Sequence, residues 1–177
     1  MKKTLKQKLT NLAVGELVAV VVFWINFFLF KKLITTTKSL ISISFSLFIL
    51  SFILVQGSIF WCILIKRISK QGFAAKYTGK IYNKLKILDV ILLCMGVLVI
   101  ILNYSTFFTM IVSFTIWIFA VIEWVNYYKL QLSYSLNPVV LLKYIIQRKL
   151  RKSKIANEID NSFDFETYGE TLEETKF

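Results

Sequence analysis

The chain has 177 residues, is 56% hydrophobic and carries 22 Lys and Arg against 10 Asp and Glu, a formal net charge of +12. Its apolar residues form long blocks with the charges pushed between them, the pattern of a membrane protein rather than of a globular or disordered chain. Histidine is absent, which removes Ser-His and Cys-His nucleophile pairs, an imidazole base, and His-ligated zinc or haem. The two cysteines, Cys62 and Cys94, lie in apolar runs without CxxC spacing and read as packing residues. One Pro and six Gly punctuate little of the chain, so an all-α fold is expected.

A bilayer core of ~30 Å needs about 20 apolar residues of helix. The first stretch that qualifies is 11–30, NLAVGELVAVVVFWINFFLF, which ends at Lys31 and Lys32. Lys2, Lys3, Lys6 and Lys8 precede it like the basic region of a signal peptide. The run is long, ends in bulky residues and offers no small-residue cleavage site, so it is read as a retained span.

The second span is 40–65, rich in serine and closing before Lys66 and Arg67. Its Ser42, Ser44, Ser46, Ser51 and Ser58, with Asn26 of the first span, are side chains that join helices in lipid. Gln56-Gly57-Ser58 is expected where this span meets a neighbour. The third span is 86–103 and the fourth 106–128, joined so tightly that they form an antiparallel hairpin. Trp24, Trp61, Trp124 and Tyr104 fall toward span ends, as in an aromatic belt.

Eighteen Lys and Arg fall in the N-terminal tail, after span two and between Lys129 and Lys154 after span four, against three (Lys31, Lys32, Lys38) on the opposite side. This bias predicts a multi-pass protein of the bacterial plasma membrane with both termini cytoplasmic.

Up to residue 157 the acids are Glu16, Asp89 and Glu123, each inside a predicted span and near its cytoplasmic end. Pairing with surrounding lysines (Lys86, Lys129 and the N-terminal lysines for Glu123) is the structural expectation. The functional alternative is a cation or proton site in which the three carboxylates act with Asn126. No acid reaches the midplane, where transport sites usually sit.

After Tyr134 the pattern changes. Asn137-Pro138 reads as an N-cap and first helical position. Over 135–157 apolar residues alternate with Lys143, Arg148, Lys149, Arg151, Lys152 and Lys154, a basic amphipathic juxtamembrane helix suited to an anionic inner leaflet. Residues 158–177 carry seven acids against Lys176 and read as an acidic, disordered tail.

The stretch VIEWVNYYKLQLSY, followed by LLKYIIQRKLRKSKIANEI, resembles small four-span membrane proteins of low-GC Gram-positive bacteria, often labelled general stress proteins. The shared features are the acid, Asn126-Tyr127, Gln131-Leu132, Tyr134 and the Arg-Lys-Leu-Arg-Lys-Ser core. The likeness covers roughly 116–160 and implies a membrane fold with a C-terminal juxtamembrane module, and no activity.

Three functions stand after this reading. One is a non-enzymatic accessory or stress-related membrane protein, without cofactor, metal or nucleic acid, that binds lipid and a partner subunit or a second copy. Another is an immunity protein against a bacteriocin. The third is a small transporter with a cytoplasmic-end carboxylate site, or an enzyme. Against the third, a single span Asp falls short of an aspartyl dyad, and no broken helix or inverted repeat is present.

Overall fold

The computed structural model describes residues 2–34, 36–68, 75–129 and 153–160. Among them all regular structure is helical: α1 (Lys2–Phe30), a 3-10 turn (Lys31–Leu33), α2 (Thr37–Ile68), α3 (Ala75–Leu102) and α4 (Phe107–Tyr128), with a further helical turn over 154–160. Each of the four long helices contains a stretch long and apolar enough to cross a membrane: Lys6–Phe30, Thr37–Ile68, Tyr77–Leu102 and Phe107–Tyr128.

The breaks between them have local causes. Helix α1 ends where its apolar run meets Lys31 and Lys32, and Ile34 is already extended (φ −92°, ψ 101°). The β-branched run from Ile34 to Thr37 follows, which resists continued helix. Between α3 and α4, the Asn103 side chain folds back to donate to the Val99 carbonyl at 3.0 Å. Tyr104 N–H closes onto the Ile101 carbonyl, and Met110 N–H bonds the Thr106 carbonyl to start α4.

The helices run further than the spans read from hydropathy. Helix α1 begins at Lys2 rather than 11, and α3 at Ala75 rather than 86. Hydropathy marks only the part of a helix that suits lipid, whereas backbone hydrogen bonding continues through charged turns that keep one buried face. Thr78 and Tyr82 form that face in the first turns of α3 and are each 3% exposed. The 28 residues of α3 extend about 42 Å at 1.5 Å per residue, beyond a ~30 Å hydrocarbon core.

The chain divides into two compact units. The first comprises Met1–Gly72 and Leu88–Glu123, the second Phe73–Ile87 and Trp124–Phe177.

In the first unit α2 is the hub. Half of its apolar stretch is buried, against 6% for α1. Ser39, Ser42 and Ser46 line up with Ile43, Leu47, Leu50 and Ile53 as its buried residues. Small serines let neighbouring backbones approach, and the Ser46 hydroxyl is absorbed within its own helix, its Oγ donating to the Ser42 carbonyl at 2.9 Å. Helix α1 meets this hub where Trp24 Nε1 donates to Ser51 Oγ at 3.0 Å. Its other faces are apolar and exposed, among them Val14, Val18, Val21 and Val22. In lipid that is the expected solvent-facing surface. Cys62 and Cys94 are exposed free thiols. Helix α4 reaches α2 where Ser39 Oγ donates to Thr109 Oγ1 at 3.2 Å, and the turn before α4 bonds the chain before α2 through Ser105 and Thr36.

In the second unit the end of α4 receives the turn 154–160. Ser153 caps that turn: its Oγ accepts from Ala156 N–H at 3.0 Å and donates to the Tyr127 carbonyl, while its own N–H bonds the Lys129 carbonyl. Ile155 and Ile159, one turn apart, are both buried. The turn crosses the 157/158 boundary at which the acidic tail was expected to begin. The rest of the expected amphipathic helix, including the Asn137-Pro138 start, and residues 161–177 lie outside the described residues.

Candidate functional site

Carboxyl groups inside bilayer-length helices need hydrogen-bond donors, because burying them unpaired is costly. In the first unit α2 supplies donors along one short stretch. Gln56 Nε2 donates to Asp89 Oδ1 on α3 at 2.8 Å, Ser58 Oγ donates to the Ala13 carbonyl on α1 at 2.9 Å, and Trp61 Nε1 donates to Glu16 Oε1 at 2.8 Å.

Helical spacing explains the division of labour. Ser58 and Trp61 are three apart and share a face, as do Ala13 and Glu16, so two adjacent bonds link α2 to α1. Gln56 stands on another side of α2 and addresses α3. The five residues from Gln56 to Trp61 amount to about 7.5 Å along α2. The two acids therefore meet α2 at different heights.

Their place along the helices differs from their place along the apolar runs. Glu16 follows Lys2 and precedes Phe30 by fourteen residues each, and Asp89 follows Ala75 by fourteen. Both are mid-helix, because the helices continue through the basic segments that hydropathy assigned to tail and loop. Glu123, five residues before Tyr128, does lie near its helix end. Asp89 is fully buried, whereas Glu16 and Glu123 are half-buried.

The donors seen on Glu16 and Asp89 are an indole and an amide, a kind of partner that lysine pairing did not anticipate. Of the expected four-residue cluster, Glu123 and Asn126 stand three residues apart on α4, while Glu16 is on α1 and Asp89 on α3. Among the described residues no group of three or more His, Cys, Asp or Glu is arranged to hold a metal ion.

The tryptophans read as an aromatic belt also make bonds between helices. Trp24 and Trp61 bond α2 and α1 together, and Trp61 is only 8% exposed. Trp117, not singled out in the sequence, donates its indole N–H to the Leu93 carbonyl at 2.9 Å and so joins α4 to α3. In the second unit Trp124 packs on Tyr128 and lies 5.6 Å from the Lys129 ammonium, a cation–π distance.

Of the basic residues expected at the lipid surface, Lys154 is exposed at the start of the turn 154–160. Lys143, Arg148, Lys149, Arg151 and Lys152 lie outside the described residues. Sequence reasoning missed Trp61 as the donor to Glu16 and Ser153 as a joint. Each needs a partner tens of residues away, and only the Gln56-Gly57-Ser58 cluster gave a signal. No protein-family model, curated protein or solved structure matches the chain.

Proposed function

We propose that this chain is a non-enzymatic, multi-pass plasma-membrane protein with both termini cytoplasmic, an accessory or stress-related component that engages the anionic inner leaflet through its basic C-terminal segment. One observation carries the reading. The two acids best placed for an ion or proton site are bonded to uncharged donors of α2 inside the helix packing, Glu16 to Trp61 and Asp89 to Gln56. Bonds of this kind fix helix register and hold a bundle together in lipid. They support a scaffold rather than a transport path. The lysine and arginine asymmetry supports the orientation, and the basic residues between Lys143 and Lys154 support attachment to anionic lipid. A partner subunit or a second copy is the protein contact that suits such a scaffold.

The test is a strain lacking the chain, together with the purified protein in vesicles. The strain is expected to lose tolerance to membrane-perturbing stress in general, and the vesicles to show no cation or proton flux above protein-free controls. Protection confined to a single antimicrobial peptide would replace this reading with an immunity role. Flux abolished by Asp89→Asn would replace it with transport.

A further inference from the structure

In the first unit, toward the C-terminal end of α1, the helices α1, α2 and α4 leave a cavity of ≈ 530 Å³ between them. That volume lies within the range of sites for small molecules, 300–1,000 Å³ or so. Phe23, Phe27 and Phe30 of α1, Leu47 of α2, and Val112 and Ile116 of α4 supply its walls. Phe23 and Phe30 are exposed, so the cavity opens to the outside of the unit.

Its two polar lining residues offer a ligand little. Asn26 Nδ2 donates to the Val22 carbonyl at 2.8 Å. The Thr109 hydroxyl donates to the Thr106 carbonyl and accepts from Ser39. A space with such walls stays dry and takes a hydrocarbon.

Charge identifies what the hydrocarbon is attached to. Phe30 and Ile34, both lining residues, flank Lys31 and Lys32, whose side chains are exposed. An apolar slot whose lining residues Phe30 and Ile34 bracket two exposed lysines in the chain matches one phospholipid, with an acyl chain in the slot and an anionic headgroup at the lysines. Basic pockets between transmembrane helices recognise anionic lipids by this logic.

We infer that the cavity between α1, α2 and α4 is a binding site for one anionic phospholipid, with Lys31 and Lys32 taking its headgroup. The inference rests on the membrane reading above but not on the orientation, since it concerns whichever leaflet meets the Lys31 end.

The test uses the full chain, equilibrated with equal phosphatidylglycerol and phosphatidylcholine, released into mild detergent and weighed intact by native mass spectrometry. One phosphatidylglycerol per chain is expected to survive, preferred over phosphatidylcholine by about fivefold for each lysine engaged. Lys31→Gln with Lys32→Gln should bring that preference close to parity while one lipid of either kind is still retained. Val112→Phe, which fills the slot, should remove both adducts. Equal retention of the two lipids by the unaltered chain would overturn the inference, as would detergent alone on the chain or an undiminished adduct in Val112→Phe. Should Val112→Phe fail to fold by circular dichroism, the lysine variant decides, because it changes only exposed side chains. Resistance of the chain to carbonate extraction from membranes reports the membrane reading separately, so a lost lipid preference with intact insertion defeats this inference alone.

Discussion

The Gln56 amide on α2 donates to the fully buried carboxyl of Asp89 on α3 across 2.8 Å, a polar joint between two helices that are otherwise largely apolar in sequence. Lipid is as apolar as leucine, so contacts between apolar side chains confer little preference for one register over another. A bond between one particular amide and one particular carboxyl does confer it.

Replacing Gln56 with Leu should lower stability in detergent by about 1–2 kcal/mol, the scale of interhelical hydrogen bonds in lipid. Asp89→Asn retains an acceptor oxygen and should cost less. In a double-mutant cycle with Gln56→Leu and Asp89→Leu, the two losses should fall short of additivity by about 1 kcal/mol. Strict additivity would show that the pair does not couple α2 to α3.

Two glycines make opposite predictions. A Cβ at Gly96 on α3 would stand 2.8 Å from Ile49 Cδ1 and 2.9 Å from Trp117 Cδ1, too close for both. Gly96→Ala should therefore cost about 1–3 kcal/mol through overpacking. A Cβ at Gly15 on α1 meets nothing within 4 Å. Gly15→Ala should raise stability by up to ~1 kcal/mol through helix propensity. Thermal unfolding of both variants checks the packing of α3 against α2 and α4, and equal effects would contradict it.

Glu123 is half-buried near the end of α4, and no three acids converge among the described residues. Glu123→Gln should then lower stability by on the order of 1 kcal/mol or less, as for a partly exposed pair. Added Mg²⁺ or Ca²⁺ should leave the unfolding temperature of the native chain unchanged. A reproducible rise with either cation, abolished by Glu123→Gln, would make these carboxylates a cation site.

Orientation is open to a direct check. A reporter fused after Phe177 should be active only in its cytoplasmic form, and one inserted near Thr36 only in its external form. Exchanged activities would reverse the map and place the Lys31–Lys32 lipid site in the inner leaflet.

The sequence by itself determined the helical class, the existence of four bilayer-length helices and where each apolar stretch stops. Those follow from the length of apolar runs and the position of charges, which are properties of single segments. It also pointed to Gln56-Gly57-Ser58, because polar residues are rare enough inside such a run to need a partner. Only the tertiary structure decided which partners they have. That the Trp61 indole reaches Glu16 depends on the rotation and register of α1 against α2, and apolar periodicity is weak when every face of a helix is apolar. The same reason hid the central place of α2 and the phenylalanine-lined cavity: hydropathy cannot tell a side chain facing lipid from one facing another helix. The mid-helix positions of Glu16 and Asp89 were missed for a different reason. A helix continues through charged turns at little cost when its backbone bonds are satisfied internally, so the end of an apolar run is not the end of a helix.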